Sequence, residues 1–152
     1  MSEWIPPVEW ATIVEHVPIV SVDLVVLAGD GVVLGQRENE PASGEWFVPG
    51  GRVQKFEALE DAVHRVAETE LGVGVEIVER LGAYEHFYER ADVPDVDGKH
   101  YVANGFVVET DSSDIHADDQ HGDVRVFEEL PDSLHEYVAA YLRDTNAVEY
   151  HN

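Results

Sequence analysis

The sequence predicts an α+β domain in which helices pack on a β-sheet. Its 152 residues are enough for one domain with its own core, and 44% of them are hydrophobic despite a formal net charge of -23. Segments with strand character occur before, between and after two or three segments with helix character, which is typical of an α+β or sandwich-like α/β/α domain. The chain has no internal repeat and no low-complexity linker, so we expect a single domain over residues 1–152.

The first predicted element is a helix from Pro7 to Val17, because proline is tolerated in the first turn of a helix and Pro18 ends it. The segment Ile19–Ala28 is rich in β-branched residues and predicts a strand, which the turn Gly29-Asp30-Gly31 joins to its hairpin partner. Further strands are predicted at Val32–Arg37 and at Trp46–Val48, the second of them halted by Pro49-Gly50-Gly51.

In the second half of the chain, residues Glu57–Leu71 predict a helix that Gly72 closes at its C-terminal side. Strands are then predicted at Val75–Glu89, with a break near Gly82, at Tyr101–Glu109 and at Val124–Phe127. A final helix is predicted from about Asp132 to Arg143.

The charge of the chain is strongly asymmetric, with 32 Asp and Glu residues against 9 Lys and Arg residues. Such a surface repels phosphate backbones and anionic lipid head groups, so we expect neither nucleic-acid binding nor membrane-surface binding. The absence of cysteine excludes disulfides, thiolate catalysis and zinc ribbons. An acidic surface with only two lysines, Lys55 and Lys99, resembles proteins of salt-loving organisms, in which high ionic strength screens self-repulsion.

The N-terminal residues Met1–Pro7 contain neither a basic region nor a continuous apolar stretch, so they do not resemble a signal peptide. No segment approaches the ~18 apolar residues that a membrane-spanning helix needs. We therefore expect a cytoplasmic protein.

The helix at residues 57–71 carries a carboxylate on its apolar side. On a helical wheel that starts at Leu59, Val63 and Val66 fall in the apolar stripe, and Glu70 falls about 20° from Leu59. Because an unpaired buried carboxylate is costly, this position predicts a cation, a hydrogen-bond network or a metal beside Glu70. The alternative is a frayed helix end at which Glu70 faces solvent.

Positive charge is concentrated around this helix. The pair Gly50-Gly51 allows the backbone to approach a ligand closely, and an arginine follows it. In so acidic a chain, nearby cations are candidates for binding an anionic substrate. Arg65 has a structural alternative, a salt bridge with Glu57 or Glu68. Four of the nine basic residues lie between positions 37 and 65, namely Arg37, Arg52, Lys55 and Arg65.

Residues 51–73 resemble the signature of Nudix hydrolases, G-x5-E-x7-R-E-U-x-E-E-x-G-U, in which U is a bulky apolar residue. Two glutamates of that signature are replaced here, by Val66 and Thr69. In ordinary Nudix enzymes these glutamates bind divalent ions or act as the base for water attack on a diphosphate. Their loss indicates either a binding-only domain or a different reaction. The matching positions are Gly51, Glu57, Arg65, Glu70, Gly72 and Val73.

The flanking sequence is similar to GDP-mannose mannosyl hydrolases, a Nudix branch whose signature lacks the same two glutamates. The similar segments are residues 18–26, 34–53, 85–88, 100–102 and 118–125, and the resemblance as a whole covers roughly residues 8–145. This resemblance implies a Nudix-type α/β/α sandwich with a mixed β-sheet. It also implies hydrolysis of a GDP-sugar, GDP-mannose or GDP-glucose, to GDP and free hexose. In that branch, water attacks the anomeric carbon with inversion.

The same resemblance implies a metal and two catalytic residues. One Mg²⁺ ion, with Mn²⁺ as an alternative, is expected on oxygen ligands from Glu70, the Gly50 carbonyl and Gln120, a set that suits a hard cation. His121 is expected to be the general base, because its ordinary pKa of about 6.5 suits proton removal from water near neutral pH. Arg37 is expected to act on the leaving group.

The remaining implied site residues bind substrate: Arg52, Arg65, Asp23, His86 and Tyr101. Besides Arg65, three of them have structural alternatives when considered alone, which are a cap on a bulge for Asp23, a hydrogen-bonded core position for His86 and strand packing for Tyr101. The resemblance further implies a homodimer whose small-molecule partner is a nucleotide-sugar. Two other functions stay open: conventional Nudix cleavage between phosphorus atoms of another nucleoside diphosphate derivative, and nonhydrolytic binding of a nucleotide-sugar.

Overall fold

The computed structural model describes residues 4–37, 44–89, 91, 93, 95–111, 115 and 121–147, without the side chains of residue 37 and residues 121–123. The helices in this part of the chain are α1 (Pro7–His16), α2 (Leu59–Leu71) and α3 (Glu136–Asp144). The strands are β1 (Ile19–Ala28), β2 (Gly31–Arg37), β3 (Trp46–Phe47), β4 (Gly50–Arg52), β5 (Glu76–Tyr88), β6 (Lys99–Thr110) and β7 (His121–Phe127).

The seven strands form one mixed sheet, the type of sheet that the resemblance implies. Its main path runs β3-β2-β1-β6-β5, while β4 pairs with β1 and β7 pairs with β2. Strands β1 and β6 are parallel from Ile19 opposite Tyr101 to Ala28 opposite Thr110, and the other pairings are antiparallel. The pairing of β1 with both β4 and β6 brings residues 19–23, 50–52 and 101–105 together.

Two hydrophobic clusters lie on opposite faces of this sheet. Along β1, side chains alternate between the faces, so Val22 and Leu24 point to one side and Asp23 and Val25 to the other. Helix α2 packs on the first face, where Val22 and Leu24 join its buried side chains. Helix α3 packs on the second face through Tyr141 and its neighbours, where Val25 belongs to the cluster. The α/β/α arrangement is therefore confirmed.

The predicted elements agree with the structure to within three residues at their ends, apart from three larger differences. Strand β3 ends at Phe47, before Pro49, but glycines 50 and 51 then form β4, which was not predicted, because β1 offers them antiparallel partners, with Val22 opposite Gly51 and Asp23 opposite Gly50. The strand predicted to break at Gly82 runs through it, with register shifts that absorb its positive φ of 98°. Helix α3 begins at Glu136, four residues later than expected, where the His135 side chain caps its first turn.

Candidate active site

Helix α2 places Glu70 in the core, as the helical wheel predicts. The residue is 7% exposed and lies on the same helix side as the buried Val63, Val66 and Ala67. Gly72 ends the helix in a left-handed conformation with φ 70°, two residues beyond Glu70. The alternative of a frayed end, in which Glu70 looks into solvent, is therefore wrong.

The Glu70 carboxylate reaches strand β4. Its Oε1 accepts a hydrogen bond from the Gly50 backbone N–H at 3.3 Å. On the other side of Gly50, any Cβ would collide with Asp23 Oδ1 and lie 2.8 Å from the Val22 carbonyl oxygen. Residue 50 must be glycine because its backbone is held between Glu70 on the α2 side of the sheet and Asp23 on the α3 side.

Arg65 and Glu57 form a clamp around the loop between β4 and α2. The Arg65 guanidinium donates to Glu57 Oε2 at 2.7 Å and Oε1 at 3.0 Å, and to the Arg52 carbonyl at 2.8 Å. Glu57 also accepts from the Gln54 N–H at 3.0 Å. The hydrogen bonds from Arg65 lower the pKa of Glu57 below its ordinary value. The alternative salt bridge for Arg65 is thus present, and a substrate contact by Arg65 stays a prediction.

On the α3 face, Asp23 is part of a buried polar network. The Tyr141 hydroxyl donates to Asp23 Oδ2 at 2.7 Å and lies 3.4 Å from His86 Nε2. His86 Nδ1 lies 3.8 Å from the same Asp23 oxygen. Burial and the Asp23 carboxylate raise the pKa of the Tyr141 phenol far above its ordinary value, so Tyr141 remains a proton donor.

Aromatic side chains hold His86 in place. Its ring stacks on Tyr137 with centroids 4.0 Å apart and an interplanar angle of 4°. Burial, followed by repulsion from His135, lowers the pKa of His86 to about 4, so the ring is neutral near pH 7. The Asp23 carboxylate, 3.8 Å from His86 Nδ1, already accepts a hydrogen bond from the Tyr141 hydroxyl. His86 is 2% exposed, as the core alternative expects, and its contact with substrate stays a prediction.

Arg52 and Tyr101 lie on the α3 face of the sheet beside this network. Arg52 is opposite Ser21, and Tyr101 is opposite both Ile19 and His86, and partners in a ladder share a face. The guanidinium carbon of Arg52 lies 5.8 Å from the centroid of the Trp10 ring. The buried Lys99 ammonium lies 5.7 Å from the Trp10 centroid and 5.4 Å from that of Tyr101. The predicted substrate pocket therefore has cations on aromatic rings along one side.

Three predicted site residues are described only in part or not at all. Arg37 and His121 are Cα partners at the end of the β2–β7 ladder, next to a register shift. The structure thus brings the two predicted catalytic residues together in the backbone, while their side chains and all of Gln120 lie outside the described residues.

The described donors fit a hard divalent cation only in part. Glu70 supplies a buried carboxylate adjacent to the Gly50 backbone, and both offer oxygen atoms. Within the described residues, no group of three or more Asp, Glu or His side chains could hold a metal. The set that the resemblance implies, with the Gly50 carbonyl and Gln120 beside Glu70, stays a prediction.

Tyr137, Tyr141 and His135 were not predicted as site residues. A signal for the two tyrosines was present, because they are four residues apart and lie on one side of a helix. Their partners on β1 and β5 could not be foreseen from local sequence.

No helix in the described part of the chain is long and apolar enough to cross a membrane.

The comparison with known families decides the identity of the fold. A model of the NUDIX domain matches residues 17–145. The chain belongs to the NUDIX domain family. The Nudix match begins after α1, and it contains the whole of β1 to β7 as well as α2 and α3.

Relatives extend this result. The chain is 55% identical over 138 residues to the low-salt glycan biosynthesis protein Agl8 of Haloferax volcanii, covering 91% of this chain and 88% of that protein. It is 28% identical over 112 residues to an ADP-ribose pyrophosphatase of Methanocaldococcus jannaschii, covering 73% of this chain and 62% of that protein.

Solved structures share the fold. A MutT NUDIX hydrolase from Burkholderia pseudomallei superposes with a TM-score of 0.70 at 27% identity, over 85% of this chain and 98% of that one. A bifunctional NMN adenylyltransferase/ADP ribose pyrophosphatase from Francisella tularensis, solved with AMP and a manganese ion, superposes with a TM-score of 0.57 at 20% identity, over 83% and 41%. The coarse function that these comparisons support is that of a Nudix hydrolase.

Proposed function

We propose that this Nudix domain is a Mg²⁺-dependent hydrolase of a GDP-sugar, GDP-mannose or GDP-glucose, which releases GDP and free hexose. The observation that carries the proposal is the chemistry of α2. Glu70 is its buried carboxylate, whereas Val66 packs beneath Gly51, with Cγ2 3.0 Å from where a Cβ would stand. A helix that offers one carboxylate to the site is better suited to assisting a leaving diphosphate than to activating water at phosphorus.

In this proposal Glu70, the Gly50 carbonyl and Gln120 hold the ion, with Mn²⁺ as an alternative metal. When bound, the ion would supply charge stabilisation to the departing diphosphate. Arg37 and Arg52 add guanidinium groups, which suit negative charge that is spread over several oxygens.

The proposed reaction is a single displacement at carbon. The oxygen of water bonds to the anomeric carbon as the bond from that carbon to the phosphate oxygen breaks, and the electron pair leaves with GDP. His121 takes the proton from water. The position of His121 opposite Arg37 in the β2–β7 ladder supports a shared location for the base and the leaving-group cation.

An assay of products over a panel of nucleotide sugars tests this proposal. With GDP-mannose or GDP-glucose and Mg²⁺, we expect GDP and free hexose, without GMP or hexose phosphate. Replacing the base, His121→Ala, is expected to lower kcat by about a hundredfold or more. His64→Ala is the matched control, because His64 is an exposed histidine on α2, and it is expected to leave kcat unchanged. Formation of GMP and hexose phosphate would contradict the proposal.

A conventional Nudix pyrophosphohydrolase is the second candidate. The observation that favours it is the 28% identity to an ADP-ribose pyrophosphatase. It predicts cleavage between phosphorus atoms, and the same product assay separates it from attack at carbon. The third alternative, nonhydrolytic binding, is favoured by Val66 and Thr69 at two glutamate positions and predicts tight binding of a nucleotide-sugar without turnover.

We further propose that the protein works at high salt, in the cytoplasm and as a homodimer. The charge of -23 and the similarity to a Haloferax volcanii protein support the first point. Thermal unfolding is expected to shift to higher temperature from dilute buffer to molar salt, and equal stability in both would contradict it. Light scattering that shows a monomer at native salt would contradict the dimer.

A further inference from the structure

Helix α3 contributes a tyrosine to the site that the Nudix signature does not include. Tyr141 is fully buried, and its ring lies where Gly105 of β6 has no side chain. A Cβ at Gly105 would lie 2.7 Å from Tyr141 Cε1. The Tyr141 ring therefore packs over Gly105, where the sheet has no side chain. From this position its hydroxyl reaches Asp23 of β1.

The phenol fixes one oxygen of Asp23. Its hydroxyl donates to Asp23 Oδ2 at 2.7 Å, while the other carboxylate oxygen, Oδ1, faces the Cα of Gly50. Because Tyr141 is held by packing and Asp23 is 7% exposed, the carboxylate has little freedom to rotate. Oδ1 is thus kept against the backbone of Gly50, a predicted metal ligand.

A second tyrosine, one helical turn earlier, supports the same arrangement. Tyr137 stacks on the His86 ring, and its hydroxyl donates to the Phe87 carbonyl at 2.8 Å and accepts from the Phe87 N–H at 2.9 Å. Because the Tyr141 proton is committed to Asp23, the Tyr141 oxygen can only accept from His86, which requires the proton of the neutral ring on Nε2.

We propose that Tyr141 is a positioning residue that holds the Asp23 carboxylate against the hexose of the substrate. His86 contacts both Tyr141 and Asp23 from within the core. This inference rests on the proposed function. An ionised carboxylate fixed beside the sugar favours the positive charge that develops on the ring as the anomeric carbon separates from phosphate. Tyr141 itself touches no reacting atom, and it acts through Asp23.

Tyr141→Phe tests the proposal, because it keeps the ring and removes only the hydroxyl. With GDP-mannose and Mg²⁺ at high salt, we expect kcat to fall about tenfold and KM to change less than about twofold. In an Asp23→Asn background, Tyr141→Phe is expected to lower kcat further by less than about twofold. An equal loss in both backgrounds, or no loss in either, would overturn the proposal.

Tyr84→Phe is the matched control. The Tyr84 hydroxyl donates to Asp144 Oδ2 at 2.6 Å, so this change also removes a tyrosine–aspartate hydrogen bond between α3 and the sheet. Unlike the hydrogen bond of Tyr141, this one is exposed to solvent. We expect kcat and KM to be unchanged. Unfolding by urea, measured for both variants, reports the loss of stability that each hydrogen bond causes.

A nitrogen NMR spectrum of the histidine side chains separates this inference from the proposed function. At pH 7 we expect His86 to carry its proton on Nε2 in the wild type and in Tyr84→Phe, and to shift towards Nδ1 in Tyr141→Phe, because the released carboxylate attracts that nitrogen. If no GDP-hexose is hydrolysed, the proposed function fails, whereas this spectrum still decides whether Tyr141 controls the network. An identical His86 spectrum in all three proteins would overturn the inference that Tyr141 determines which ring nitrogen of His86 carries the proton.

Discussion

The two faces of the sheet differ in how they treat polar groups. Beneath α2 the core is apolar, and Glu70 is its one buried charged residue among those described, directed at the Gly50 backbone. Beneath α3 the core contains a connected network of Asp23, Tyr141 and His86, with Tyr137 stacked against it. Both faces meet at Gly50. The difference shows that the α2 face presents a single carboxylate, Glu70, whereas the α3 face orients the Asp23 carboxylate through several partners.

The largest expected effect comes from removing the single carboxylate of the α2 face. Glu70→Gln keeps the shape of the side chain but loses the charge, so Mg²⁺-dependent kcat is expected to fall about a hundred- to a thousandfold. Steady-state rates over a Mg²⁺ titration measure the change. Glu68→Gln, on the exposed side of the same helix, is the control and should keep the wild-type rate. A Glu70 variant with wild-type kcat would show that the α2 face supplies no essential ligand.

The α3 face is expected to be sensitive to acid. The pKa of His86 is lowered from 6.5 to about 4 in the folded protein, so the unfolded chain binds this proton first as the pH falls. The stabilisation is therefore complete above about pH 6.5 and is lost as the pH falls towards 4, by about 3 kcal/mol in all.

Urea unfolding at several pH values measures this loss. His86→Phe keeps a ring on Tyr137 but cannot titrate, so its free energy of unfolding should depend less on pH between 6.5 and 4 than that of the wild type. His64→Asn, on the surface, should behave as the wild type does. If the free energy of unfolding depended equally on pH in His86→Phe and in the wild type, His86 would not be a neutral histidine that burial keeps unprotonated.

The junction between the two faces is expected to tolerate no side chain. In Gly50→Ala the new methyl group meets Asp23 Oδ1 and the Val22 carbonyl, and overpacking of this kind costs about 1–3 kcal/mol. We also expect kcat to fall, since both Glu70 and Asp23 would shift. Gly74→Ala is the control, because no atom lies within 4 Å of the position that its methyl group would take. Thermal unfolding of both variants checks the difference, and equal melting temperatures would contradict the tight approach.

The smallest expected effect concerns the clamp beside α2. Arg65→Lys cannot make both hydrogen bonds to Glu57 and the one to the Arg52 carbonyl, so we expect a loss of about 1–2 kcal/mol. Arg80→Lys is the control, because the Arg80–Glu60 pair is exposed and its loss should cost less than about 1 kcal/mol. Chemical unfolding measures the free energy that each variant loses. Equal losses in Arg65→Lys and Arg80→Lys would contradict a structural role for the clamp.

The α2 face could largely be predicted from the sequence, because its information is local. The period of the helix placed Glu70 among apolar residues, and the structural alternative for Arg65 was a salt bridge with Glu57 or Glu68, of which the structure has the first. The α3 face could not, since the bond between Tyr141 and Asp23 joins residues 118 positions apart. Strand β4 was missed for a related reason, because glycine has little strand propensity and its pairing depends on β1.

Hydrolysis of GDP-mannose in water enriched in oxygen-18 distinguishes water attack at the anomeric carbon from water attack at phosphorus. We expect the heavy oxygen in the free hexose and none in GDP, because the proposed attack of water is on the anomeric carbon. Label in a phosphate group of the nucleotide product would contradict it, since it would show that water attacks phosphorus.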